Sequence, residues 1–211
     1  MRVDRRNAPG GDLTRHFQRC RVRFLFGQAV RLILVVALTA GMLGRESEAQ
    51  APNEYQVKAA FLYNFAKFVE WPGDAFNDGT TPLTVGVLGD DPFNNIIDQT
   101  INGKTINGRQ LVIKRFKWGQ NLRGCHILFI SSSERKRLGQ VLESLKGASI
   151  LTVGEMEKFN EQGGIINFIM EDNKVRFEIN TGVAEQARLR ISSKLLALAK
   201  TVIGERRAGR G

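Results

Sequence analysis

Cys125 and His126 stand side by side, directly ahead of the apolar run Ile127-Leu128-Phe129-Ile130. A thiol beside an imidazole suggests a nucleophile and its base. Neighbours on a strand point to opposite faces, so the two are expected as a core cysteine and a strand-end histidine instead. Asp90-Asp91 follows another apolar run. A paired acid there could hold magnesium for phosphoryl transfer, yet the later strand ends in Ser131-Ser132-Ser133 and offers no acceptor aspartate. Helix capping is the expected role of the acids. Gly86 and Gly89 lack the spacing of a dinucleotide loop, and the acids after them would repel a pyrophosphate. Gly163-Gly164 reads as a tight turn or bulge. Lys114-Arg115-Phe116-Lys117-Trp118 mixes bases with aromatics as single-strand binders do, but also as a solvated edge strand does. No nucleophile elbow or P-loop is present. The sequence therefore predicts no catalytic residue, no cofactor and no metal site.

The charge balance needs a correction before it can name a partner. The chain has 211 residues, 31 Lys plus Arg against 21 Asp plus Glu, and a formal charge of +10. Residues 2–31 are basic, and an uncharged run from Leu32 to Leu43 follows, the length of a signal-peptide core and short for a membrane span. Ser47-Glu48-Ala49 supplies small residues for cleavage, so residues 1–49 are expected to be a removed signal peptide. The long basic lead also allows a start downstream of Met1. The remaining 162 residues carry 22 basic and 17 acidic side chains, a charge of +5. Such a mildly basic exported chain calls for neither nucleic acid nor an integral membrane span. Cys20 and His16 depart with the signal, which leaves Cys125 and His126 as the single thiol and imidazole and excludes an intrachain disulfide.

The elements that would position these residues follow from periodicity. Asn53 to Glu70 reads as a helix, apolar on two faces (Val57, Phe61, Phe65, Phe68 and Leu62, Ala66, Val69) and ended by Trp71-Pro72. So wide an apolar surface is either buried between layers or shared with another subunit. Leu83 to Gly89, His126 to Ile130 and Ser149 to Val153 read as strands covered on both sides. Helices are expected from Asp91-Pro92 through Ile97, from Glu134 to Leu145 and from Glu155 to Asn160. A hairpin, Ile165 to Met170 and Lys174 to Asn180, has a second arm whose Arg176 and Glu178 face water as on an edge strand. Short helices are expected from Thr181 to Arg188 and after Ser192, the last carrying Leu195, Leu198, Ala199 and Val202. Strand and helix alternate, which predicts a single three-layer α/β/α domain at residues 50–203, with a mostly parallel sheet and an antiparallel C-terminal hairpin strand. Residues 204–211 are expected to be a disordered tail.

With these elements in place, Lys58-Ala59-Ala60-Phe61-Leu62-Tyr63-Asn64-Phe65-Ala66-Lys67-Phe68-Val69-Glu70-Trp71-Pro72 closely resembles the opening signature of the YfiR family of exported regulators. Val87 to Phe93, Cys125 to Ser131, Gly163-Gly164, Arg176 to Asn180 and Ser192 to Leu196 match in order, so that the resemblance runs from Glu54 to Ile203. It implies a periplasmic α/β regulator, often a homodimer, that represses a membrane-bound diguanylate cyclase by binding its periplasmic segment, lowering cyclic di-GMP and biofilm formation. Some members look coupled to a sensor histidine kinase, and the alternative is a periplasmic small-molecule sensor. Members with several cysteines are expected to respond to redox state. Here the position that aligns with a pairing cysteine is Gly86, so that switch is absent unless Cys125 pairs between chains.

A regulator that acts by contact needs exposed apolar surface with a few polar anchors. Two surfaces are the candidates. One is the outer face of the first helix, Tyr55, Leu62, Tyr63, Phe68 and Trp71, as partner or dimer interface. The other, Arg176, Glu178, Arg188 and Arg190, could hold a small anionic or aromatic ligand.

Overall fold

The computed structural model describes residues 53–204. The expected signal peptide, residues 1–49, and the expected tail beyond Gly204 lie outside the described residues. No helix among the described residues is long and apolar enough to cross a membrane.

Helix α1 spans Glu54–Phe68. Asn53 caps it reciprocally: its Oδ1 accepts from the Tyr55 amide at 3.1 Å, and its own amide donates to Gln56 Oε1 at 2.9 Å. The helix stops two residues short of Glu70, because Val69–Glu70 turns extended as β1 and pairs antiparallel with β9, Arg190–Ile191. Strands β2 (Leu83–Leu88), β4 (Arg109–Phe116), β5 (Ile127–Ile130), β6 (Leu151–Gly154), β7 (Ile166–Glu171), β8 (Lys174–Asn180) and β10 (Thr201–Ile203) build the main sheet with β3 (Thr105–Ile106). The order is β10-β8-β7-β6-β5-β2-β4-β3. Pairing is parallel except at the β3-β4 and β7-β8 hairpins.

Every residue of β2, β5 and β6 is buried, as a strand covered on both faces requires. The pleat sends alternate side chains to two separate cores. Val85, Val87, Ile127, Phe129, Leu151 and Val153 meet α1, α2 (Ile96–Ile101), α4 (Thr181–Gln186) and α5 (Ser193–Leu196). Leu88, Leu128 and Ile130 meet α3 (Leu138–Ser144) on the other side. The molecule is thus an α/β fold of three layers. Phe61 and Phe65 of α1 pack with Phe168 and Phe177 of the hairpin, with ring centroids 5.2 to 6.1 Å apart. That cluster joins the first helix to the C-terminal third of the chain.

Several local expectations are corrected. Asp91 does accept from the Phe93 amide at 2.8 Å, but Asn94 has φ +51°, so the helix begins only at Ile96. Residues 155–160 form turns rather than a helix. Phe159 is drawn inward there, and its ring occupies the space above Gly164, where a Cβ would lie 2.1 Å away. Strand β8 is not an edge, since β10 pairs with its last three residues. The expected last helix is a single turn. Leu195 fills the core, Leu198 is 58% exposed, and Val202 belongs to β10.

Phe65 is fully buried at the centre of the aromatic cluster. Phe65→Ala is expected to cost about 3–5 kcal/mol in chemical denaturation, whereas exposed Lys67→Ala should stay within about 0.5 kcal/mol.

Candidate functional site

At the N-terminal ends of the parallel strands, His126 is a structural latch. Its Nδ1 accepts from the Thr84 amide at 3.1 Å, which leaves Nε2 to donate to the Ala75 carbonyl, also at 3.1 Å. Phe76 stacks on the imidazole with centroids 4.3 Å apart, and the Arg109 guanidinium covers the other face of Phe76 at 3.8 Å. Arg109 also donates to the carbonyls of Asp78 and Thr81, at 2.7 and 2.8 Å. The indole of Trp71 donates to the His126 carbonyl at 3.2 Å. Burial, with a smaller contribution from Arg109, holds the imidazole below its usual range. Both ring nitrogens are therefore spent on backbone groups.

Cys125 belongs to the opposite core, so it makes no dyad with His126. Burial pushes its thiol up to about 12, which keeps it protonated and out of reach of a second chain. Of the two alternatives for Cys125, its burial favours the absence of a redox switch over pairing between chains. A Cβ built on Gly86 would lie 2.7 Å from Cys125 Sγ, so the glycine occupies the place from which a cysteine could reach this thiol.

At the carboxyl ends the carboxylate of Asp91 is structural. Asp91 Oδ2 accepts from Arg115 Nε at 2.7 Å, and Arg115 also grips Asp98 and the Asn94 carbonyl. The carboxylates raise the Arg115 pKa, and the Arg115 hydrogen bond lowers that of Asp98. The Asp90 amide donates to Ser133 Oγ at 3.0 Å. Arg115, offered by the sequence as part of a basic aromatic strand, is occupied by acids that would compete with any phosphate. Among the described residues, no three His, Cys, Asp or Glu side chains converge as metal ligands.

The first proposed surface is only partly on the outside. Leu62 is fully buried, so its place in an outer face is corrected. Tyr55, Tyr63, Phe68 and Trp71 are half-buried. Tyr55 lies edge-on to Phe93, Lys104 sits over the Tyr63 ring, and Trp71 serves the latch. The stripe of α1 that meets solvent is Gln56, Ala60 and Lys67. The aromatic residues turned inward because both flanks of the helix contact neighbouring layers.

The four residues of the second surface separate into two pairs. Arg176 and Glu178 lie on the face of β8 away from the aromatic cluster, Arg176 two residues past the strand's start at the Glu171 turn and Glu178 two residues further on. β8 runs to the other end of the sheet, where the Asn180 amide donates to the Ile165 carbonyl and α4 begins. There Arg188 pairs with Asp74 at 2.8 Å and donates to Ser149 Oγ at 3.2 Å. Arg190 stands 4.0 Å from Glu70. At about 3.3 Å per strand residue, Arg176 is more than 10 Å from that end.

One cluster escaped sequence reasoning. Lys58 is buried, donates to Glu54 and, at 2.6 Å, to Glu155 Oε2, and lies over the Tyr55 ring at 4.7 Å. Burial opposes its charge, but the hydrogen bonds of Glu155 and Glu54 raise its pKa on balance. The available signal was a lysine inside an apolar helix with a glutamate four residues before it. Its second partner, Glu155, is distant in sequence.

Two outcomes follow from this geometry. Because the folded His126 holds its proton less tightly than the unfolded one, whose pKa is about 6.5, stability should fall as pH drops below about 6.5, and His126→Gln should flatten that loss in melting curves. Gly86→Cys, in a chain of residues 50–211, should form a disulfide with Cys125 under oxidising conditions, seen as the loss of two titratable thiols by mass spectrometry; two free thiols after oxidation would contradict the contact.

A search of curated proteins finds no match. Among solved structures, the chain is similar to a conserved domain protein from Vibrio cholerae, at 11% identity and TM-score 0.48, over 70% of this chain and 60% of that one. It is also similar to the ABC domain in complex with L-Trp from Streptococcus pneumonia, at 10% identity and TM-score 0.49, over 72% of this chain and 61% of that one. The chain thus spans about three-fifths of each of those structures. A family profile described as YfiR/HmsC-like matches residues 55–200, from the second residue of α1 to the residue before β10. The chain belongs to the YfiR/HmsC-like family.

Proposed function

We propose that the mature chain is a periplasmic regulator without catalysis of its own, which represses a membrane-bound diguanylate cyclase by binding the cyclase's periplasmic segment. Cyclic di-GMP and biofilm formation fall as a result. The family match over residues 55–200 is the observation that carries this reading. A repressor that acts by contact must prefer the inactive form of its target, since equal affinity for both forms shifts nothing.

The sheet margin at β8 and β10 is the surface that fits this task. Met170, Leu198 and Ile203 are three of the large apolar side chains that stand exposed, at 50%, 58% and 37%. Ile203 shares the sheet face of Arg176 and Glu178, Met170 stands on the opposite face with Val175, and the ion pair of Lys200 with Glu171 borders the margin. Apolar groups with an arginine among them are the usual makings of an interface centre. Val175, Phe177 and Ile179 of β8 point to the other face and root the strand in the core. The half-buried aromatics of α1, Tyr63 and Phe68, are the proposed seam of a homodimer. A sensor kinase with a periplasmic segment would be held by the same chemistry.

The test is direct binding of the mature chain to purified periplasmic segments of cyclases and kinases from the same cell. Arg176→Glu and Leu198→Asp are expected to weaken binding by about tenfold or more without moving the melting temperature. Unchanged affinity would remove this surface, and no binding by the unaltered chain to any such segment would remove the function.

A further inference from the structure

Beyond Arg115, which is tied to Asp91 and Asp98, the basic aromatic stretch at the end of β4 runs into an exposed turn. The Gln120 amide donates to the Lys117 carbonyl at 3.2 Å, and Gln120 Oε1 accepts from the Lys117 amide at 2.8 Å. Trp118 and Gly119 are the central residues of that turn, and Gly119 has φ +85°, the conformation that glycine supplies at the third position of a type II turn. The indole is thereby held at the tip, 47% exposed. It stands apart from the apolar groups of the β8 and β10 margin: β4 lies five strand spacings from β8, about 24 Å.

Cations gather round the indole. Phe116, Leu88 and Ile130 lie abreast in β4, β2 and β5, so the chain leaves β4 and β5 at points about 10 Å apart. From β5 it enters a 3-10 helix, Ser132–Arg137, whose last residues are Arg135, Lys136 and Arg137. Arg137 joins that helix to the turn: its guanidinium lies 5.5 Å from the Trp118 ring centroid and donates to Glu134 at 3.2 Å. Lys117, Arg135 and Lys136 are exposed and enter no ion pair among the described residues. The same holds for Lys114, on the side of β4 that carries Phe116. Acids do not balance them. Glu134 is buried and tied to Arg137, which leaves Asp90 as the exposed acid at this end of β2.

An exposed indole among such cations fits a partner that is anionic over an area and apolar just beneath. An acidic protein segment would meet the charges, but Gly119, Gln120 and Asn121 beside the indole give no apolar ground for an interface centre. A phospholipid headgroup layer meets both demands. Its phosphates pair with lysine and arginine, and an indole rests at the boundary of headgroups and acyl chains. We propose that the Trp118 turn and the segment Arg135 to Arg137 form a peripheral contact with an anionic phospholipid surface. Each cation held near such a surface raises affinity several-fold. With one aromatic anchor and no acyl chain the contact is reversible. It leaves the β8 and β10 margin free to meet a protein and does not depend on which protein the chain represses.

The test is cosedimentation of a chain of residues 50–211 with vesicles of phosphatidylglycerol and phosphatidylethanolamine, followed also by tryptophan emission. Phosphatidylcholine vesicles and soluble polyglutamate are the comparisons. Saturable binding to the phosphatidylglycerol vesicles with a blue shift in emission is expected, and it should fall at least tenfold between about 0.05 and about 0.5 M salt. Arg135→Glu combined with Lys136→Glu should weaken it about tenfold or more without moving the melting temperature, since both positions are exposed. Trp118→Ala should remove the blue shift, because Trp71 stays bound to the His126 carbonyl. No cosedimentation at millimolar lipid, equal binding to phosphatidylcholine, or indifference to the double charge reversal would overturn the contact. Tighter binding of polyglutamate than of vesicles would overturn it too, in favour of an acidic protein. These readouts use lipid alone, so their failure leaves the binding of a periplasmic protein segment untouched.

Discussion

The burial of β2, β5 and β6 on both faces governs where anything polar can go. A side chain on these strands must be apolar, or its polar atoms must find partners inside the sheet. Thr152 meets the condition by accepting from the Ile165 amide at 3.0 Å. Gly86 meets it by leaving room for Cys125 and Leu128. Ionisable groups are consequently displaced to the strand ends and to the margin beyond β7. Each end is then closed by a different device. His126, Phe76 and Arg109 hold the loop before β2 at one end, and Arg115 ties Asp91 and Asp98 at the other.

The same constraint sets the character of the surfaces. A helix that lies on an apolar sheet face must turn its large residues inward, and α1 does so with Leu62 and Phe65. Its outward stripe is small and polar. The margin at β8 and β10 has the opposite character, because only one of its faces is backed by helices. Apolar side chains from β7, the segment before β10 and β10 itself reach solvent there, Ile203 on the face of Arg176 and Met170 on the opposite one. A contact surface on this margin is rigid, since β8 is fixed on its inner face by Phe177 against Phe61 and Phe65.

The architecture was legible in the sequence wherever a single period governed a segment. Continuous apolar runs gave the three central strands, and the strict alternation of Val175, Phe177 and Ile179 gave the inner face of β8. Cys125 and His126 were placed on opposite faces by strand geometry alone. What was not legible depended on partners far along the chain. The helix expected after Pro92 was delayed by the backbone of Asn94, and the one expected after Glu155 yielded to Phe159 packing over Gly154 and Gly164, to either side of it in the chain. The last helix lost most of its length because β8 had an unpaired edge to fill. The second candidate surface divided because the order of arginines in sequence says nothing of how far β8 carries the chain before α4 begins. Lys58 was hidden for the same reason, since Glu155 follows it by nearly a hundred positions.

In the proposed function the chain binds its target without converting it, so its effect rests on which form of the target it prefers. The most direct measurement is the turnover of a full-length membrane-bound diguanylate cyclase, reconstituted in vesicles with its periplasmic segment accessible, as the mature chain is titrated in. The account predicts a saturable fall in cyclic di-GMP synthesis that tracks occupancy of the periplasmic segment. Saturated binding with undiminished turnover would contradict it.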